Sequence, residues 1–458
     1  MTASEISKIV SQQRALFASG ATLEHEYRDA ALAALYDTIK SHEAEIASAL
    51  HADLGKSASE AYMCETGLTL TSIRYLRRNL GRLMRPKRTR MGMAQMPGHG
   101  ELRYVPYGTA LIMSPWNYPL LLTLEPLAAA LAAGNTAVIK PSAYAPATAG
   151  LIAEMLGEVF TPDYVMCVTG GREENRALLD ERWDKIFFTG SKSVGREVLR
   201  SAAENLTSVT LELGGKSPVI VDKSADIQLA ARRIVYGKYL NCGQTCVAPD
   251  YVLCDERVHD ALIAALKKEI AAQYPDALHD ASYGRIVNRR HFERITALID
   301  RDKVAAGGAS NAESLQIEPT VLTDVSPEDA VMQEEIFGPV LPVLKISSLD
   351  EAIAFVESRP RPLALYLFTA SRESREYVLG RCRFGGGCVN DTIMHLTTDN
   401  LPFGGVGESG MGAYHGRWGF EEFSHLEGVL VRGSGLESSV RYRPWTDSKL
   451  SMLRKLLR

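Results

Sequence analysis

From residue 107 onward the chain alternates short apolar runs with amphipathic stretches, and this alternation limits the folds open to it. Ala110–Met113, Thr136–Lys140, Tyr164–Val168, Lys185–Phe188 and Thr207–Leu213 read as strands. Helical patterns at 121–133 and 147–159, and another opening at Thr189–Gly195, lie between them. Short, continuously apolar strands separated by helices describe a parallel sheet covered on both faces. The fold class is therefore α/β, and this first unit has the pattern of a doubly wound nucleotide-binding domain. Gly214-Gly215 marks a boundary. A second α/β unit follows, with strands near Ser217–Val221, Tyr251–Leu253, Thr320–Leu322, Val340–Ile346 and Leu363–Phe368.

Ahead of this alternation the chain reads as helices. Ile6, Ile9, Val10 and Leu16 begin one apolar face, and Leu32, Leu35, Ile39 and Ile46 continue it. Met63, Leu70, Ile73, Leu76 and Leu80 form a third. Residues 81–106 carry Arg82, Arg85, Lys87, Arg88 and Arg90 and read as a solvated connector with an arm near Glu101–Val105. The tail from Ser448 places Leu450, Leu453, Leu456 and Leu457 opposite Lys449, Arg454, Lys455 and Arg458. A helix docked on its own fold or on a partner subunit is expected there in preference to a membrane surface.

Composition removes several function classes. A net charge of −4 over 458 residues gives nucleic acid nothing to bind. Seven cysteines, an odd number mostly in apolar runs, point to reduced thiols and not to a disulfide framework. Cys242 and Cys246 have no second Cys/His pair nearby in sequence, so no metal site is expected. No apolar run reaches the length of a membrane span and no leader pattern opens the chain, so a cytoplasmic protein is expected.

Within this frame a few residues carry chemistry. Cys246 follows a Gly243-Gln244-Thr245 turn. A thiol on a tight turn can supply a nucleophile and, through its own N–H, half of an oxyanion site. Glu212, between leucines at a strand end, is a candidate general base, because desolvation raises a carboxyl pKa; the bland alternative is an exposed glutamate on an edge strand. Asn117, in the turn after the first strand, can donate to an oxyanion or simply serve the turn. Thr189-Gly190-Ser191 follows a strand and opens a helix, where an anion can meet free N–H groups. Gly405–Gly410 fits G-x-G-x-x-G formally, but it lacks the strand and helix that the motif requires, and it reads as a tight surface loop.

Pro115-Trp116-Asn117-Tyr118-Pro119, Ile139-Lys140-Pro141-Ser142, Phe188-Thr189-Gly190-Ser191, Leu211-Glu212-Leu213-Gly214-Gly215-Lys216-Ser217-Pro218, Gly243-Gln244-Thr245-Cys246, Glu335-Ile336-Phe337-Gly338-Pro339 and Pro402-Phe403-Gly404-Gly405 together resemble, in order, the signature segments of the NAD(P)-dependent aldehyde dehydrogenase superfamily. The separation of Glu212 and Cys246 matches the family's spacing. The wording around Cys246 and the Tyr414-His415-Gly416…Phe423-Ser424-His425 segment are similar to its class 3 branch, which handles medium- to long-chain and aromatic aldehydes.

The resemblance implies an oxidoreductase with a Rossmann-type NAD(P)-binding domain (1–87 and 107–212), an α/β catalytic domain (213–422), a small β bridging arm for dimerisation (88–106 and 423–435) and a tail (436–458). It implies Cys246 as the nucleophile, Asn117 with the Cys246 N–H as oxyanion donors, and Glu212 as the base that activates water on a thioester. Trp116, Lys140, Ser142, Gly190, Ser191, Glu335 and Phe337 would face the cofactor, and the partner would be a second copy of the chain. Two departures stand out. Ala143 replaces the glutamate that many members carry after Lys-Pro-Ser, which leaves NADP acceptable beside NAD. Cys242 lies close before Cys246, able to pair with it under oxidation but more simply a bystander. Two rival readings are a CoA-acylating variant, which would not need Glu212, and a non-catalytic binding protein of the same fold. A thioesterase-like hydrolase also fits a Cys/Glu pair.

Overall fold

The computed structural model describes residues 1–435 and 437–457. Two parallel-type sheets organise the chain. The first has the spatial order Gly410–Met411, Ser208–Leu213, Lys185–Gly190, Thr109–Met113, Thr136–Lys140, Val165–Cys167. All its pairings are parallel except the short first one. Thr109–Met113 and Thr136–Lys140 are buried at every residue, as strands covered on both faces should be. Helices Leu121–Ala133, Pro146–Val159 and Lys192–Asn205 connect the strands. The helix Leu121–Ala133 is apolar nearly all round and wholly buried, Glu125 included.

The second sheet runs Val304–Ala306, Thr320–Leu322, Val340–Ile346, Tyr251–Asp255, Pro218–Val221, Ala364–Phe368, Gly386–Val389. A three-stranded antiparallel sheet joins Lys87–Thr89, Gly98–Pro106 and Ser424–Arg432. Its long pair keeps an unbroken register from Ser424↔Pro106 to Arg432↔Gly98.

Four details differ from the sequence reading. Arg82 belongs to the helix Gly67–Met84 and not to the connector. A π-helical turn at Tyr62–Thr66 interrupts the helical periodicity, so Met63 is turned outward while Leu70, Ile73, Leu76 and Leu80 stay buried. The 401–412 segment is not only a surface loop. Gly410-Met411 pairs with Glu212 and Leu211, and Ser409 is fully buried, so the strand bearing Glu212 is not an edge. The tail helix Asp447–Leu456 buries none of its residues against the rest of the chain. Among the described residues no helix is long and apolar enough to cross a membrane.

Candidate active site

The cysteine loop leaves the helix Ile227–Tyr239 through three consecutive residues in the left-handed region: Asn241 (φ 51°), Cys242 (φ 53°) and Gly243 (φ 72°). Holding non-glycine residues there costs about 1–3 kcal/mol each, so the surroundings must impose it. Glu60 accepts the Asn241 N–H at 2.8 Å. The Asn241 amide donates to the Asn117 and Gln244 carbonyls at 2.8 and 3.2 Å. Gln244 donates to the Asn241 and Arg285 carbonyls and accepts from the Val287 N–H. Gly243 has no alternative, because a Cβ would lie 2.3 Å from the Gly338 carbonyl oxygen.

The turn carrying Asn117 is fixed by a buried ion pair with no sequence signal. Lys56 and Glu65 meet at 2.5 Å, both fully buried. Lys56 also donates to the Asn117 carbonyl at 2.9 Å, and Glu65 accepts the Leu120 and Leu121 N–H groups. The Asn117 side chain donates to the Gln244 carbonyl at 3.0 Å, which locks the turn onto the cysteine loop.

Cys246 stands where two cavities meet. The first, about 570 Å³, is lined by Trp116, Asn117, Gly190, Ser191, Glu212, Glu335 and Phe337 among others. The second, about 410 Å³, is walled by apolar side chains including Leu121, Leu122, Leu240, Ile393 and Leu396. Leu122, Thr189, Glu212, Leu213 and Cys246 border both. Burial, with the nearby Glu335 and Glu212 carboxyls, pushes the Cys246 thiol up to about 12. Glu212 is buried with neither carboxyl oxygen hydrogen-bonded, and desolvation followed by Glu422 raises its pKa well above the ordinary carboxyl range. A buried carboxyl with no hydrogen-bond partner, on the border where the thiol stands, can take a proton from water.

Glu335 lies across the backbone of Gly214, where a Cβ would sit 2.1 Å from Oε2. Its Oε1 is buried without a partner, and desolvation followed by Asp250 raises its carboxyl to about 8. Several contacts hold its loop. Lys216 joins Asp250 at 2.5 Å and donates to the Val331 and Glu334 carbonyls, Asp250 accepts the Ile336 N–H, and Arg294 donates to the Ile336 carbonyl. Trp116 packs edge-on against Phe337 at 5.4 Å and tilted against His291 at 5.5 Å. Ser191 caps the helix Lys192–Asn205, whose start borders the cavity beside Gly190.

Eight of the ten sequence-derived site residues thus line one cavity. Lys140 and Ser142 lie off its lining. The Lys140 ammonium donates to the Pro141 and Gly170 carbonyls at 2.8 Å each, and Ser142 Oγ accepts the Tyr144 N–H. Sequence reasoning passed over His291, Arg294, Lys56 and Glu65. None sits in a glycine-rich or apolar motif, and only the fold brings them to the site. Cys242 packs against Gly284 and is buried with Tyr283, while Cys246 faces the cavities.

A thiol, a desolvated carboxyl and a helix-capped cleft beside an apolar pocket suit an oxidoreductase better than a hydrolase, which has no use for the second cleft. A model of the aldehyde dehydrogenase family matches residues 1–429, and the chain belongs to that family. It is an enzyme that oxidises aldehydes to carboxylic acids with NAD or NADP. It is 46% identical over 435 residues to 4,4'-diaponeurosporen-aldehyde dehydrogenase of Staphylococcus aureus, covering 94% of this chain and 95% of that one. It is 42% identical over 441 residues to the dimeric NADP-preferring aldehyde dehydrogenase of Canis lupus familiaris, covering 96% and 97%. Among solved structures, the substrate-bound state of Staphylococcus aureus AldH superposes with a TM-score of 0.96 at 44% identity, covering 99% of each chain. The NAD-dependent aldehyde dehydrogenase from Sinorhizobium meliloti gives 0.86 at 29% identity, covering 97% of this chain and 89% of that one.

Proposed function

We propose that Cys246 is the nucleophile of this oxidation, and that the aldehyde reaches it through the apolar cavity while NAD(P) lies in the other. The observation that carries the reading is the position of Cys246 and Glu212 on the shared border of the two cavities. The residues present fit a dinucleotide. Glu335 offers a buried, unpartnered carboxyl oxygen to a ribose hydroxyl, Ser191 and Gly190 bring a helix N-terminus to the pyrophosphate, and Trp116 and Phe337 flank the nicotinamide end. Lys140 and Ser142 serve the adenosine end, beside an Ala143 that leaves room for either NAD or NADP.

The Cys246 thiol gives up its proton to solvent, and the resulting thiolate attacks the carbonyl carbon. The Asn117 amide and the Cys246 N–H hold the oxyanion of the thiohemiacetal. When bound, NAD(P)+ supplies the acceptor for the hydride that leaves this adduct, and a positive charge that favours the thiolate. A thioester remains on Cys246. Glu212 takes a proton from water, the resulting hydroxide adds to the thioester carbon, and the acid departs as the thiolate re-forms. The carboxyl oxygens of Glu212, free of protein partners, favour water over a thiol cofactor as the acceptor.

The apolar lining favours medium- to long-chain aliphatic or aromatic aldehydes. The two large sheets and the small one support a division into an NAD(P)-binding domain (1–87, 107–212), a catalytic domain (213–422) and a bridging element (88–106, 423–435), with Gly410–Met411 reaching from the second into the first sheet. The exposed Leu426, Val429, Leu430 and Val431 on strand Ser424–Arg432 support a homodimer, with the cytoplasm as its place of action. Purified protein mixed with NAD or NADP and a panel of short, long-chain and aromatic aldehydes should reduce the cofactor. Cys246→Ala should lose the reaction by about a thousandfold or more while still binding cofactor. Equal turnover in Cys246→Ala would overturn the reading.

A further inference from the structure

Behind the apolar cavity lies a second cluster of ionisable groups that the chemistry above does not use. Glu125, buried in the helix Leu121–Ala133, accepts a hydrogen bond from Ser72 Oγ at 3.2 Å. Asp399 faces the same hydroxyl and is also bonded by the Gly416 N–H. His415 Nε2 lies 3.6 Å from the other Glu125 oxygen. Glu125, Ser72, Asp399 and His415 line a small pocket of about 20 Å³ that shares Leu68, Thr71, Leu121, Leu396, Thr397 and His415 with the aldehyde-side cavity.

The segment that carries Asp399 also supplies Ile393, Met394, Leu396 and Thr397 to the wall of that cavity. It packs tightly at this end, since a Cβ on Gly416 would lie 2.3 Å from the Asp399 carbonyl oxygen. We propose that Glu125 and Asp399 hold one proton between them through Ser72, and that this proton latches the 391–400 segment closed as the wall of the aldehyde cavity. Both are positioning residues, and through the cavity wall they set selectivity for aldehydes with long chains. The inference rests on the apolar cavity being the aldehyde's place.

Proton counting requires the arrangement. Ser72 has one hydroxyl hydrogen and can donate to one carboxyl only, while it accepts from a protonated partner. Two carboxylates would compete for that one hydrogen and set two like charges facing each other. The ionisable groups around Glu125 are Asp399, His415 and Tyr414. None is a cation: burial holds His415 neutral, its pKa pushed down to about 3. Burial and the Asp399 charge accordingly push the Glu125 carboxyl up to about 8.

The sign follows from linkage. The closed cluster keeps its proton up to about pH 8, whereas an opened, hydrated Glu125 releases it at the ordinary carboxyl pKa of 4.5. Opening therefore becomes easier by up to about tenfold per pH unit above the ordinary carboxyl range and levels off above about 8.

Amide hydrogen exchange of residues 391–400, corrected for intrinsic rates and recorded without aldehyde or cofactor, reads the latch directly. The opening equilibrium should rise with pH and flatten near 8 in the unmodified protein. It should be nearly pH-independent in Glu125→Gln, and in Asp399→Asn, which leaves the burial of Glu125 but removes the neighbouring charge, it should flatten at a lower pH. In parallel, the ratio of KM for decanal to KM for propanal should rise several-fold over that range, and Glu125→Gln should flatten the profile of that ratio. Unchanged pH dependence of exchange in both variants, or a flat profile in the unmodified protein, would overturn the latch. If the exchange behaves as expected but the KM ratio ignores it, the link to selectivity is refuted and the latch is purely structural. Exchange needs no turnover, so loss of the Cys246 reading would show separately, as activity surviving in Cys246→Ala.

Discussion

The two cavities that meet at Cys246 are built on opposite principles. The cofactor-side cleft is walled by glycines, a helix N-terminus and two carboxyl groups: Glu212, with neither oxygen hydrogen-bonded, and Glu335, with Oε1 unpartnered. Beyond the shared border, the aldehyde-side cavity is walled by side chains from four stretches distant in sequence (63–71, 118–122, 236–247 and 393–415), most of them apolar. The first cavity presents fixed groups that wait for polar partners. The second offers only shape and burial, which suits a substrate recognised by its hydrocarbon and not by its functional group. The border between them is a few residues wide, and the reactive sulfur sits on it.

The contrast predicts effects that separate cleanly. The largest should come from the border itself: Glu212→Gln should lower steady-state turnover by about 10²–10⁴-fold, with little change in cofactor binding. Stability should suffer most on the buried ion pair. Lys56→Met leaves the buried Glu65 carboxyl without its cation beneath the Asn117 turn and should cost about 3–5 kcal/mol in chemical denaturation. On the cofactor side, Glu335→Gln replaces the carboxyl that meets the ribose with an amide; it should weaken NAD(P) affinity by about tenfold and leave the decanal KM alone. On the other side, Leu240→Ala should raise the decanal KM by about tenfold and leave cofactor affinity untouched. If either variant moves both parameters together, the cavities are not independent and the comparison fails.

The smallest effect is a pH profile. Because burial and two carboxyls hold the Cys246 thiol up, its alkylation by iodoacetamide in the free enzyme should be slow at neutral pH and still climbing above pH 9, the ordinary thiol value. Adding NAD(P)+ should shift that climb to lower pH. A fast, pH-independent alkylation near neutrality would mean that a pre-formed thiolate exists.

The difference between the two cavities also explains what the sequence revealed. The cofactor side depends on backbone constraints, and these leave marks: Gly214 under Glu335, Gly190-Ser191 at a helix start, Gly243 against Gly338. The strands beside them are largely buried and mostly apolar, so most of both large sheets could be read from residue 107 onward, the strands Val304–Ala306 and Gly386–Val389 excepted. The aldehyde side leaves no such mark, because any apolar residue of suitable size serves, and its wall comes from segments that meet only after folding. Three other features were hidden for related reasons. The Lys56–Glu65 pair looks like two ordinary surface charges on helices. The π turn at Tyr62–Thr66 shifts a periodicity that is otherwise regular. Gly410-Met411 is too short to read as a strand, although it is what removes the edge beside Glu212.

The claim that turnover passes through Cys246 with Glu212 releasing the product can be tested by trapping. Glu212→Gln mixed with decanal and NAD(P)+ should give a rapid burst of reduced cofactor, about one per active site, and then stall. Mass spectrometry of the quenched protein should find the acyl group on the peptide containing Cys246. A burst with the acyl group on Cys246 is the predicted result. Undiminished steady turnover, or an acyl group on any other residue, would contradict the account.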